Sequence, residues 1–174
     1  MKTLDAGQDF PRQDVQRLGG GTLTLGQPEG GHDWQAVVVY RGLHCPICKT
    51  YLTQLEEIKS EFHDAGVDVV AVSGDPEEKA TQMAEETGLT VPMGYGLSIE
   101  QMRSLGLYVS DPRSPEETDR PFPEPAVFVI NGAGKLQIVD VSNAPFARPE
   151  LKRLAGGLAF VRDKDYPVRG THQK

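Results

Sequence analysis

Both cysteines of this 174-residue chain lie in one stretch, Cys45-Pro46-Ile47-Cys48. Two thiols three residues apart at a strand-to-helix junction suit a dithiol that cycles with its own disulfide. Cys45 falls where a helix begins, and unpaired N–H groups and the helix dipole there favour an anion. The thiolate is the nucleophile. Lowering a thiol pKa from about 8.5 to about 6.5 raises its thiolate fraction at neutral pH from roughly 3% to roughly 75%. His44 and Arg41, beside Cys45 in sequence, are candidates to add positive charge. Residues i and i+3 of a helix bring their Cβ atoms within roughly 5–6 Å. A disulfide needs about 3.8 Å, so a small adjustment of the first turn closes the bond. In this scheme Cys45 attacks an oxidised substrate, Cys48 displaces the product, and a reductant reopens the pair.

Two other chemistries use a cysteine pair. A zinc half-site needs two further ligands, and His32, His44, His63 and His172 show no ligand-like spacing. Two inert cysteines packed as small hydrophobes are the other alternative. No metal and no cofactor beyond the dithiol is expected.

The elements that must position the pair follow from the pattern. Ala36 to Tyr40 is a continuous apolar run, the signature of a central strand buried on both faces. Trp34 and Tyr40 beside it read as core. A helix over about 46–63 follows, with Cys48, Tyr51, Leu52, Leu55, Ile58 and Phe62 at spacings of three and four. Pro46 suits its first turn, where a missing N–H costs nothing. Val67 to Val72 is a second buried strand, and Asp75-Pro76-Glu77-Glu78 predicts a helix capped by Asp75 and running to Thr87. Ser98 to Gln101 repeats the capping pattern for a short helix ending near Gly106. Ala126 to Ile130 and Leu136 to Val141 form an antiparallel hairpin about Asn131-Gly132-Ala133-Gly134. Pro149 is expected to open a last helix striped by Leu151, Leu154, Ala155, Leu158 and Ala159.

Thr22 to Leu25 reads as a short strand, while residues 1–21 read as an irregular lead and residues 164–174 as a tail. Residues 109–125 are polar and proline-rich, a long excursion that suggests function. The order β-α-β-α, helix, β-β-α gives a three-layer α/β/α arrangement around a mixed sheet, in one domain over residues 1–174.

A formal charge of −7 with scattered Lys and Arg argues against nucleic acid and anionic membranes as partners. The longest apolar stretch, Ala36 to Tyr40, is far short of the roughly 20 residues of a membrane helix. Nothing in Met1 to Gly7 reads as a signal peptide, so a cytoplasmic location is expected. There a cysteine pair is more often catalytic than structural.

Around these residues the chain resembles the thioredoxin-like superfamily, and within it the alkyl hydroperoxide reductase/thiol-specific antioxidant (AhpC/TSA, peroxiredoxin-like) family. The likeness spans roughly Ala6 to Asp163. Ala6-Gly7-Gln8-Asp9-Phe10-Pro11 is similar to the family's opening G-x-x-x-P. Val72-Ser73-Gly74-Asp75-Pro76-Glu77 resembles its V-S-x-D segment, and Phe128 to Leu136 resembles its F-[VL]-I-D-x-x-G-x-[IL] hairpin. The resemblance implies a thioredoxin-like fold and antioxidant thiol chemistry.

Two departures bear on the substrate. The family has Thr or Ser three residues before its reactive cysteine, where this chain has Gly42. It has arginine three residues before the hairpin phenylalanine, where this chain has Pro125. In the family both groups orient and polarise peroxide. Pro125 instead resembles the cis-proline of thioredoxin-like disulfide reductases, which would offer the Glu124 backbone to an extended substrate. Pro145-Phe146-Ala147-Arg148 is similar to the P-x-x-R of peroxiredoxins, whose arginine supports the reactive site.

The leading expectation is a thiol-disulfide oxidoreductase using Cys45 and Cys48, with Arg41, His44, Pro46, Glu124, Pro125 and Arg148 in support. A hydroperoxide reductase, with Cys45 peroxidatic and Cys48 resolving, stays open; Arg41 or Arg148 would then replace the missing arginine. A non-enzymatic redox-sensing module is the third reading. Expected partners are a thioredoxin- or glutathione-type reductant and an oxidised protein, disulfide or peroxide. A homodimer is left open.

Overall fold

A computed structural model describes residues 3–172; the first two residues of the lead and the last two of the tail lie outside them. The apolar runs build the sheet: β1 (Gln13–Arg17), β2 (Thr22–Leu25), β3 (Trp34–Val39), β4 (Val67–Val72), β5 (Met93–Tyr95), β8 (Ala126–Ile130) and β9 (Leu136–Val141), in spatial order β2-β1-β5-β4-β3-β8-β9. Strands β6 (Val109–Ser110) and β7 (Phe122–Pro123) form a separate two-stranded ribbon. Every residue of β4 and β8 is buried, as continuous apolar runs require when both sheet faces are covered.

Helices α1 (Pro46–Asp64), α2 (Glu77–Thr87) and α4 (Leu151–Asp163) lie on one face of the sheet, and α3 (Ile99–Ser104) lies on the other with Leu4 and Phe10 of the lead. Alternation along β3 divides the core accordingly. Ala36, Val38 and Tyr40 meet Leu52, Leu55 and Phe62 of α1, whereas Val37 and Val39 meet Met102 and Phe128. This is the three-layer, thioredoxin-like α/β fold expected from the sequence. β3 pairs parallel with β4 and antiparallel with β8, so α1 is the crossover between the two central strands. The β3–α1 junction therefore opens at the middle of one sheet edge, where Cys45 sits. Among the described residues no helix is long and apolar enough to cross a membrane.

Four local expectations change. Within the lead, Gln13–Arg17 is a strand, paired antiparallel with both β2 and β5 across the Gly19-Gly20-Gly21 turn. Only Val15 of that strand is buried, so its own composition carried no signal. Asp75 does not cap α2: Pro76 is the cap residue, and the Asp75 carboxylate accepts the Leu43 N–H at 2.8 Å. Helix α4 starts at Leu151, capped by the Glu150 carboxylate, which accepts from Lys152 and Arg153 N–H. Pro149 precedes it, and Ala159 of the expected stripe is exposed. The β4, β8 and β9 spans and the Ser98 capping box on α3 occur where the pattern places them. Trp34 is partly buried and Tyr40 fully so.

Candidate active site

Cys45 is the N-cap residue of α1, with φ −106° and ψ 103°. Its Sγ accepts the Cys48 backbone N–H at 3.3 Å, taking the place of the side-chain oxygen of an ordinary cap. Pro46 follows at the first helical position. Both thiols are free, with Cys45 2% exposed and Cys48 wholly buried. A hydrogen bond from the Cys48 thiol brings the Cys45 pKa down to about 6; burial opposes this, while the Cys48 N–H and the Arg41 guanidinium add to it. The same shared proton and burial push the Cys48 thiol far above its ordinary range, against the pull of Arg148. Both shifts favour the same order of ionisation, with Cys45 losing its proton before Cys48.

Arg41 reaches the site from the end of β3. Its Nε lies 3.1 Å from Glu124 Oε2, a nitrogen of its fork lies 4.0 Å from Glu117 Oε1, and its Cζ stands 4.7 Å over the Phe122 ring. The Arg41–Glu124 contact is an ion pair without an aligned hydrogen bond. Glu124 is buried and accepts the Ser110 hydroxyl at 2.7 Å. The excursion of residues 109–125 thus carries two carboxylates to the active-site arginine.

His44 packs against Phe122 with ring centroids 4.5 Å apart, and neither of its nitrogens has a hydrogen-bond partner. Burial, then Arg41, lowers its pKa, so the imidazole is neutral at pH 7 and adds no positive charge, contrary to expectation.

Pro125 differs from expectation more sharply. No cis peptide bond occurs among the described residues, so the Glu124–Pro125 bond is trans. The Glu124 N–H donates to Tyr108 O at 2.8 Å, so it is not free to pair with an extended substrate. Arg148 reaches the cysteine pair on the Cys48 side. Its Nη2 donates to Cys48 Sγ at 3.2 Å, not to Cys45, while its Nε donates to Pro145 O and its Cζ stacks 4.6 Å over Tyr51.

Gly42 explains the loop that joins these groups. Its φ of +151° is one that side chains rarely adopt, and a Cβ there would stand 2.9 Å and 3.1 Å from the Asp75 carboxylate oxygens and 3.0 Å from His44 Nδ1. The Asp75 carboxylate occupies the space a Thr or Ser would need. Sequence reasoning missed Asp75 as a loop anchor, and also Ser110, Glu117, Phe122 and Tyr51. Of these only Tyr51 carried a local signal, since it lies one turn beyond Cys48 on the same helix face.

Comparison with known proteins agrees with this fold. The model of the AhpC/TSA family matches residues 6–139. None of the curated proteins matches the sequence. Among solved structures, a mutant of peroxiredoxin 6 from Arenicola marina superposes with a TM-score of 0.77 at 20% identity, covering 94% of this chain and 76% of that one. A peroxiredoxin-like protein from Aquifex aeolicus gives 0.76 at 19% identity over 92% and 90% of the two chains. AhpC of Mycobacterium bovis gives 0.76 at 18% identity over 99% and 100%.

Proposed function

From the premise that the chain belongs to the AhpC/TSA family and is a peroxiredoxin-like thiol-dependent oxidoreductase, we propose that it reduces small hydroperoxides through Cys45, with Cys48 as the resolving thiol. The observation that carries this reading is the Cys45 anion, held by its own helix start and by Arg41 while almost sealed from solvent. A hydroperoxide needs only a narrow path to such a sulfur. Among the described residues neither a cis-proline nor a free Glu124 N–H is present to dock an extended disulfide substrate.

In the first step the Cys45 thiolate attacks the terminal peroxide oxygen. An S–O bond forms, the O–O bond breaks, and the alkoxide or hydroxide that leaves takes up a proton. Cys48 then attacks the Cys45 sulfenic acid; the S–S bond forms and water leaves. An external dithiol of thioredoxin type, or two monothiols of glutathione type that leave as their own disulfide, supplies two electrons to reopen the disulfide. The cytoplasm, where such reductants are kept reduced, is the matching compartment.

Stopped-flow mixing of the reduced protein with hydrogen peroxide and an organic hydroperoxide tests this. Oxidation should run at least a hundredfold faster than that of free cysteine and vanish in Cys45→Ser. A rate no better than free cysteine removes the hydroperoxide reading. A second reading, exchange with protein disulfides, is favoured by Ile47, which is 45% exposed between the two cysteines and offers an apolar contact. Faster reaction with a disulfide substrate than with peroxide would select it, and absence of any thiol-coupled turnover would leave a sensor.

A further inference from the structure

The two arginines of the site serve different sulfurs. Arg41 acts on Cys45, whereas Arg148 contacts Cys48. The geometry points to Arg148 as the catalytic residue of the resolving and recycling steps, holding the Cys48 sulfur as an anion when it attacks and when it leaves. This rests on the assignment of Cys45 as the thiol that meets the oxidant.

Three contacts fix the guanidinium in place. Its Nη2 lies 3.2 Å from Cys48 Sγ, its Nε donates to Pro145 O at 2.7 Å, and its plane rests on Tyr51 at 4.6 Å. Tyr51 is tied in turn, donating its hydroxyl to Pro149 O at 2.7 Å. The remaining terminal nitrogen, Nη1, is buried without a partner, an orphan donor beside a sulfur that carries no charge in the reduced protein. A half-buried cation so placed, its Nη1 sealed from solvent beside a wholly buried thiol, is arranged for a charge that arrives later. Guanidinium–anion hydrogen bonds are roughly twice as strong as neutral ones.

That later charge follows from the chemistry. While Cys45 is a thiolate it keeps the Cys48 proton and repels a second negative charge. Conversion of Cys45 to sulfenic acid removes the repulsion and leaves Arg148 unopposed. Cys48 then ionises, its thiolate attacks the Cys45 sulfur, and the S–O bond breaks. The departing hydroxide takes the Cys48 proton and leaves as water. In recycling, a thiolate of the external dithiol attacks Cys45, since Cys48 has no exposed surface. The S–S bond breaks with Cys48 leaving as the anion on Arg148, and the second thiol of the reductant displaces Cys45. Two electrons pass from the dithiol to the pair.

Without the guanidinium Cys48 is harder to ionise for attack and a poorer leaving group on reduction, which should slow each step roughly 3- to 10-fold. The test compares Arg148→Met and Arg148→Lys with the parent in two arms. In the first, sulfenic acid is trapped with dimedone after mixing with hydrogen peroxide. Sulfenic acid should persist at least threefold longer in Arg148→Met, and sulfinic acid should accumulate by mass. Arg148→Lys should recover part of the loss. In the second arm the Cys45–Cys48 disulfide is made with diamide and reduced with dithiothreitol; Arg148→Met should be at least threefold slower. Raising the pH toward 9 should narrow the gap in the first arm, where Cys48 must lose its proton before it attacks, and leave it in the second, where Cys48 has no proton to lose; a merely structural role would not split the two arms. Should Arg148→Met fail to fold, Arg148→Lys carries the same comparison, with a smaller slowing expected in both arms. Equal rates in both arms for a folded variant overturn the proposal. So does a slowing of the first oxidation as large as that of resolution, because Arg148 would then be serving Cys45. The diamide arm uses no peroxide, so a protein inert to peroxide sinks the hydroperoxide reading while this assignment is still decided.

Discussion

Replacing Gly42 with alanine should destabilise the protein by several kcal/mol, although alanine adds a single methyl. Two costs apply. The backbone at Gly42 has φ +151°, and a side-chain-bearing residue held in so sparsely populated a region costs about 1–3 kcal/mol. The new Cβ would also stand 2.9 Å from one Asp75 carboxylate oxygen and 3.0 Å from His44 Nδ1, so Asp75 must retreat. Retreat loses its charged hydrogen bond to the Leu43 N–H, now 2.8 Å long, worth about 1.5–3 kcal/mol. The sum of about 2.5–6 kcal/mol corresponds, at roughly 2–4 °C per kcal/mol for a chain of this size, to a fall in Tm of roughly 5–24 °C. Urea and thermal unfolding at pH 7 measure it. The mechanism is tested by repeating the substitution in an Asp75→Ala background, where the hydrogen bond is already gone and the methyl has room. The penalty should there shrink to the backbone part alone. A Gly42→Ala protein within about 0.5 kcal/mol of the parent, or an undiminished cost in the Asp75→Ala background, would refute the claim that Asp75 fills the space beside Gly42.

Three other consequences follow from the charges at the site. With the Cys45 pKa at about 6, its alkylation by iodoacetamide should be half-maximal near pH 6 and flat above pH 7, against a midpoint of about 8.5 for a free thiol. Because that folded-state pKa is depressed, ionisation of Cys45 stabilises the fold above the unfolded thiol's pKa, and the gain is lost as pH falls toward 6. Unfolding free energy should therefore climb between about pH 6 and about 8.5, and Cys45→Ser should flatten the climb; Cys48, shifted the other way, opposes it only at higher pH. Glu124→Ala should raise the Cys45 alkylation midpoint by about half a unit or more, because Arg41 loses the carboxylate 3.1 Å from its Nε. Simple removal of a nearby negative charge would lower that midpoint, so the sign alone decides whether Glu124 positions the arginine, and Glu124→Gln, which also loses the ion pair, should move the midpoint in the same direction as Glu124→Ala.

The parts of the fold legible in the sequence are those whose signal is local. The runs Ala36 to Tyr40, Val67 to Val72 and Ala126 to Ile130 are apolar on both faces, and only central strands of a covered sheet satisfy that. Strand β1 escaped notice because Gln13, Asp14, Gln16 and Arg17 look like loop residues; its pairing with β2 and β5 is dictated by neighbours distant in sequence. The cysteine pair was equally local, one turn of one helix start. Asp75 was misplaced because an acidic residue before Pro-Glu-Glu carries the pattern of a helix cap, and the competing demand came from the Leu43 N–H, 32 residues earlier. Glu117 had no signature at all, since its approach to Arg41 depends on the path of the 109–125 excursion.

The two departures from the peroxiredoxin pattern, at Gly42 and Pro125, are linked through strand register. Strands β3 and β8 run antiparallel with Val39 opposite Ala126, so continuing the ladder by two residues sets Arg41 opposite Glu124. On the hydroperoxide reading proposed above, Arg41 at the end of β3 would stand in for the arginine that peroxiredoxins carry at the position of Pro125. An arginine four residues before the nucleophile can fold back on it only if the chain between them turns sharply, and the φ of +151° at Gly42 supplies that turn. A threonine or serine at position 42 would prevent it, and an arginine at 125 would put a second cation beside the first. Asp75 then locks the turn through Leu43, and Glu124, kept from solvent and anchored by Ser110, locks the guanidinium. The cation thereby belongs to the loop that carries the nucleophile, so anything that shifts that loop moves charge and sulfur together.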